Sequence, residues 1–180
     1  MDRRAQKTQM AIRTAFLTLL GKKSLSKITV SEISQLADLG RGTFYLHYKD
    51  IYELYEYIED DLYSEIERLI DQSCADSDSD ILMNLAHMIT EYIFKNRDTF
   101  LLVIGAGVNG RSLYKLKKLF NKKMILENPA SRLSRHQEIE CMFAVSGIIG
   151  VFEEWLFTRP ELPQKQIAAS LYKILQKFEL

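Results

Sequence analysis

Cysteine is nearly absent: Cys74 and Cys141 are the only two among 180 residues. Two cysteines cannot make a disulfide scaffold, and the expectation is a reducing compartment. Proline occurs three times and glycine eight times, which excludes a fibrous or loop-dominated chain. Long hydrophobic runs are missing too. The longest, Ala144 to Phe152, is interrupted by Ser146, Gly147 and Gly150, far short of the ~20 residues a membrane span needs. The polar stretch from Met1 to Lys7 has no apolar segment behind it of the kind a secretory leader carries. The expectation is a cytoplasmic protein. What remains is 47% hydrophobic and 27% charged. That is ordinary globular usage and excludes wholesale disorder. A chain of this length buries roughly 70% of its unfolded surface, enough for a core without staples.

The net charge is zero, yet it is segregated. Residues 1–50 hold nine bases and four acids, residues 51–80 one base and eleven acids, and residues 81–180 fourteen bases and nine acids. A basic N-terminal segment in a neutral chain fits a local polyanion-binding surface, or a solvated basic helix without a partner.

Period-two alternation is lacking over any useful length, so the spacing predicts an all-α protein of about nine helices. Over 7–20, Ile12, Ala15, Phe16, Leu19 and Leu20 make the apolar stripe of an amphipathic helix, and Gly21 stops it. Thr29 and Glu32 have capping-box spacing, followed by Val30, Ile33, Leu36 and Ala37 on one face. Asp38-Leu39-Gly40 breaks that helix, and a third fits 41–48. Asp50 and Glu53 cap a long helix over 51–72, whose acids read as a solvated face. Further helices are expected near 81–95, 98–106, 110–126, 135–157 and 164–178, with Pro129, Pro160 and Pro163 in the breaks.

Two short helices around a tight turn, buttressed by an earlier one, form a helix-turn-helix. The expected architecture is an N-terminal three-helix unit over 1–50 and a helical bundle over 51–180. Phe44 and Tyr48 sit four apart and can face the core. Arg41, Gly42 and Thr43 occupy the first turn of the third helix, the part that meets base edges in a major groove. Arg41 can donate two hydrogen bonds to guanine, and the Thr43 methyl can touch thymine. Tyr45, His47 and Lys49 offer donors to phosphates, which position without reading sequence.

Thr29-Val30-Ser31-Glu32-Ile33, Ala37 and Arg41-Gly42-Thr43-Phe44-Tyr45-Leu46-His47-Tyr48-Lys49-Asp50 resemble the TetR family of transcriptional regulators. So does the near-end stretch from Ser146 to Leu156, with its small-Gly-hydrophobic run closed by Trp155. The resemblance implies a DNA-facing set of Thr29, Arg41, Gly42, Thr43, Tyr45, Leu46, His47 and Lys49. Ala37-Asp38 stands where the family usually has Ala-Gly, so Asp38 is expected to take a left-handed conformation, with Gly40 sharing the strain. Ile51 stands where the family often has a lysine that meets a phosphate. Lys49, or the arm of Arg3, Arg4 and Lys7, is then the replacement.

Gly105-Ala106-Gly107-Val108-Asn109-Gly110 matches a dinucleotide-binding glycine pattern, with Phe100–Ile104 as the strand and Glu127 as the ribose-binding acid. The context is helical before it and lacks strands after it, so a helix-to-helix connection is the better reading. His136 and Glu140 share a helix face but supply at most two metal positions. No nucleophile signature is present. The sequence therefore predicts no enzyme, no cofactor and no metal. Lys115, Lys117, Lys118, Lys122 and Lys123 read as a solvated basic face.

The 139–157 segment is apolar nearly all round, the pattern of a helix covered on both sides. The expected partner is a second copy of the chain, through Cys141, Ala144, Gly147, Ile148, Val151, Leu171, Ile174 and Phe178. The resemblance implies the same four-helix homodimer. It also implies an effector pocket in the C-terminal unit, for which Met88, Tyr92, Phe100, Phe143 and Trp155 are the expected lining. The function expected is a DNA-binding regulator, a repressor, holding a pseudo-palindromic operator as a dimer and tuned by a small ligand. The alternative is a co-regulator whose C-terminal unit binds a partner protein.

Overall fold

The computed structural model describes residues 3–75, 81–107, 110–123 and 134–177, with the backbone alone at 74, 75, 81 and 82. Among the described residues there are nine α-helices, one short 3-10 turn at Leu25–Lys27 and no strand. The fold is all-α, as the spacing predicts.

Helix α1 (Arg3–Leu20) buries Ile12, Ala15, Phe16 and Leu20, one stripe at helical spacing. Helix α2 (Val30–Leu36) starts on a complete capping box. The Thr29 hydroxyl accepts from the Glu32 amide at 3.3 Å, and the Glu32 carboxylate accepts from the Thr29 amide at 3.1 Å. The Lys23 ammonium and the Thr29 hydroxyl bonded to it hold the Glu32 carboxyl below its usual range. Helix α3 (Arg41–Tyr45) is shorter than the spacing implies. Beyond it the His47 and Tyr48 amides still donate to the Phe44 carbonyl, at 2.9 and 3.0 Å. Phe44 and Tyr48 are therefore both buried, with rings 5.8 Å apart. Fully burying a side chain like Phe44 or Ile33 is worth about 1.5–3 kcal/mol, so these few contacts set how α3 stands on α1 and α2.

The turn between α2 and α3 has one left-handed residue, Asp38, at φ 54°. Gly40 is extended at φ −69°. The strain expected to be shared therefore falls on Asp38.

Helix α4 (Ile51–Ala75) opens with Asp50 Oδ1 accepting from the Tyr52 and Glu53 amides, both at 2.9 Å. Its 25 residues span about 38 Å. Leu54, Ile58, Leu62 and Ile66 line its buried side. Ile51 is buried as well; where a lysine would meet a phosphate, this chain adds a core contact.

The remaining helices are α5 (Ile81–Lys95), α6 (Arg97–Ala106), α7 (Arg111–Asn121), α8 (Arg135–Phe157) and α9 (Gln164–Leu175). Helix α5 lies between α4 and α9, while α8 packs on α6 and α7. One continuous buried cluster runs from Ile12 through Phe100, Val145 and Trp155 to Leu171. The glycine pattern at 105–110 lies in a helix-to-helix connection. Gly105 is within α6, Gly107 is its C-cap, and Gly110 is the left-handed N-cap of α7 at φ 71°. Phe100–Ile104 are helical. Val108, Asn109, Glu127 and Pro129 lie outside the described residues.

The acids of α4 and the lysines of 115–123 were both expected to face solvent. Three of those lysines meet acids of α4 instead, while Lys117 and Lys118 make no ion pair among the described residues. Lys115 pairs with Glu59 and Asp60, Lys122 with Glu67, and Lys123 with Glu67 and Asp71. Each pair keeps one partner at least a third exposed, though the side chains of Glu59 and Lys123 are themselves nearly buried; burial of Leu116 and Phe120 holds α7 down and the charges set its register.

Candidate nucleic-acid interface

Three elements place α3 at the surface with its polar side outward. Phe44 anchors it below, Ile33 supports it from α2, and Asp38 turns the chain between them. The first turn then presents Arg41 and Gly42, both exposed, and Thr43, half-buried. A Cβ on Gly42 would meet nothing within 4 Å, so the glycine leaves the outer side of the turn low and open to close approach. Tyr45 and Leu46 follow, exposed by 58% and 82%.

Arg41 does not float. Its Nη2 donates to Ser31 Oγ on α2 at 2.7 Å. Sequence reasoning missed Ser31, although its place in the first turn of α2 was visible inside the capping box. His47 is half-buried against Tyr48, ring centroids 6.2 Å apart. Lys49 is exposed, and its amide donates to the Glu53 carboxylate. The Thr29 hydroxyl is engaged by Glu32, donating to Oε2 at 2.8 Å while capping α2. Arg41, Gly42, Thr43, Tyr45, Leu46, His47 and Lys49 thus lie on one continuous segment, with Thr29 at the start of the neighbouring helix.

The segment is coupled to the rest of the chain. Arg13 on α1 pairs with Asp61 on α4, and Tyr48 meets Tyr57 of α4 edge-on at 5.5 Å. Farther along α4, Glu59 is buried. Its carboxylate accepts from Ser112 Oγ and, at 2.8 Å, from the Lys115 ammonium. The Tyr55 hydroxyl lies 2.9 Å from the Val103 carbonyl and 2.8 Å from Ser112 Oγ. Burial, ahead of the Glu59 charge, pushes the Tyr55 phenol up. This polar cluster stitches α4 to α6 and α7, and sequence reasoning missed it. The opposite charge of residues 51–80 and 115–123 was its visible trace.

The expected effector-pocket residues other than Phe143 lie in or beside the core. Phe100 and Trp155 are buried in the core. Tyr92 packs edge-on to Phe100 at 5.8 Å and donates to the Leu62 carbonyl at 3.2 Å. Trp155 donates its indole N–H to the Leu162 carbonyl at 3.0 Å and stacks on Phe94. Met88 is half-buried against the same core. Phe143 is 70% exposed on the far side of α8, because α8 turns that face away from α6 and α7.

The same rotation divides the residues expected at a partner face. Cys141, Ala144 and Leu171 are buried within the chain. Ile148 and Val151 are half-buried, while Gly147 and Ile174 are exposed. Phe178 lies outside the described residues. The outward face of α8 carries Ile139, Met142, Phe143, Gly147, Gly150 and Phe157 together with Ser146, Glu153 and Glu154, all exposed.

No protein-family model matches the chain. It is 34% identical over 77 residues to an uncharacterized HTH-type transcriptional regulator, YxbF, of Bacillus subtilis (strain 168). That match takes in 42% of this chain and 17% of the relative. Among solved structures it is similar to a TetR transcriptional regulator from Streptococcus agalactiae 2603V, with a TM-score of 0.67 at 23% identity over 97% of this chain and 96% of that one. It is also similar to the dihydroxyacetone kinase operon activator DhaS, with a TM-score of 0.64 at 20% identity over 96% of both chains. The chain shares the all-helical fold of these regulators.

Proposed function

We propose that this chain is a TetR-family transcriptional regulator, a cytoplasmic repressor that grips a pseudo-palindromic operator as a homodimer. Residues 1–50 read DNA, and residues 51–180 dimerise and respond to a signal. The observation that carries this is the first turn of α3: Arg41, Gly42, Tyr45 and Leu46 stand outward on a segment whose other side, Phe44 and Tyr48, is buried. That division of faces is what a helix needs to enter a major groove while fixed to its own domain.

The apolar residues on the outward face of α8 support dimerisation. A Cβ on Gly147 or Gly150 would meet nothing within 4 Å, so neither glycine serves packing inside the chain. Both leave room for a second backbone. Two copies joined there place their α3 helices in grooves about one turn apart, roughly 34–36 Å.

The packed surroundings of Phe100 and Trp155 favour a second reading, in which the C-terminal unit answers to a partner protein rather than a ligand among those residues. Fluorescence anisotropy of the full chain on duplexes flanking its own gene, across a salt series, tests the first reading. Tight, sequence-selective binding with a steep salt slope is expected. Weak, unselective binding overturns it and leaves the partner-dependent co-regulator.

A further inference from the structure

A cleft of about 320 Å³ opens between α4 and the start of α7, beneath Ala106 and Gly107 at the end of α6. It lies apart from the core residues expected to hold an effector, and none of its walls belongs to the DNA-facing set. Its volume falls at the small end of the range for small-molecule sites, enough for a one-ring ligand.

Its charges sort into two groups. The floor is closed: Glu59 is saturated by Ser112 and Lys115, and Lys115 is also engaged by Asp60. No ligand charge is called for there. The rim is open. Arg111 and Lys118 line it, and neither makes an ion pair among the described residues. Facing them from α4 is Glu56, exposed and likewise without an ion pair. Among the charges that line the cleft, Arg111, Lys115 and Lys118 stand against Glu56 and Glu59, one positive charge in excess, which suits a monoanion; Asp60, exposed and outside the lining, also meets Lys115. An arginine fork holds a planar carboxylate through two parallel bonds. Tyr52 and Tyr114 stand at the same rim, more than half exposed, and offer ring faces to a flat apolar body.

We propose that this cleft binds a small aromatic monocarboxylate, with its carboxylate on Arg111 and Lys118 and its ring against Tyr52 and Tyr114. The ligand lies over the Tyr55–Glu59–Ser112 cluster that joins α7 to α4. Helix α4 begins at the Asp50 cap, directly after the DNA-facing segment. An occupant that shifts α7 against α4 therefore bears on the orientation of α3 by the shortest covalent route. That consequence rests on the regulatory reading above, while the binding does not.

The test is 19F NMR of 4-fluorobenzoate with the full chain, without DNA, and 4-fluorobenzylamine as the probe of opposite charge. Saturable line broadening is expected for the benzoate and none for the amine. Arg111→Ala should weaken the benzoate about tenfold or more, the loss of a charge-assisted bond, and Tyr114→Ala should weaken it as well. Both side chains are exposed, so both variants should melt like the parent. No saturable binding of the benzoate, equal binding of the amine, or undiminished binding by Arg111→Ala overturns the site. The anisotropy assay is then repeated with saturating 4-fluorobenzoate. Binding to the free chain with unchanged operator affinity upholds the site and removes only its regulatory consequence.

Discussion

Arg41 Nη2 lies 2.7 Å from Ser31 Oγ, so the leading cation of α3 is tethered to α2 before any nucleic acid arrives. Its side chain gives up less rotational freedom on binding than a free arginine would. Arg41→Ala should cost about 1–3 kcal/mol at one operator base pair and relax specificity there. Ser31→Ala should cost less but blur the same position. Anisotropy on duplexes with single base-pair changes reads both. Equal losses on every sequence would make Arg41 a phosphate contact instead.

Asp38 sits at φ 54°, where an L residue is strained and glycine is not. Asp38→Gly should raise stability by about 1 kcal/mol in urea unfolding. Asp38→Val should lower it, because β-branched residues resist that region. A loss with glycine would mean that the aspartate side chain itself holds the turn.

Phe143 and Gly147 lie four apart on the outward face of α8, one exposed ring and one open backbone. Phe143→Arg and Gly147→Leu should each yield monomers in sedimentation velocity with unchanged helical content. A dimer that persists in both would place the interface elsewhere.

Four tyrosines resist ionisation. Burial, ahead of the Tyr57 phenol for Tyr48 and of Asp61 for Tyr92, pushes both phenols up to about 12. Burial also raises Tyr55 and Tyr63. Their folded values lie above the unfolded value of about 10. For Tyr48 and Tyr92 the contribution to stability is therefore complete below about pH 10 and is lost as pH rises through about 12. In a titration followed at 295 nm, these four of the nine tyrosines should ionise only as helical circular dichroism disappears. Ionisation of all nine near pH 10 with helicity intact would contradict this burial.

Much of this was legible in the linear chain. The capping box at Thr29 and Glu32, the left-handed Asp38 and the core-facing pair Phe44 and Tyr48 follow from local rules. Each involves residues within four positions, where backbone geometry does not depend on the rest of the molecule. What those rules left open depended on neighbours. Cys141 and Ala144 look like Met142 and Phe143 on a helix apolar all round, so periodicity cannot rank its faces.

The sequence by itself determined an all-helical chain, its turn at Asp38 and the buried pair Phe44 and Tyr48 beneath an exposed first turn, because caps, breaks and helical stripes are local properties. Only the tertiary structure decided that acids of α4 answer Lys115, Lys122 and Lys123, that Phe143 points outward while Cys141 points in, and that Arg111 and Lys118 are left over beside a cleft. Those outcomes depend on which helices cross and at what rotation. That is set by the packing of Leu116, Phe120, Val145 and their distant partners, and no local pattern records it.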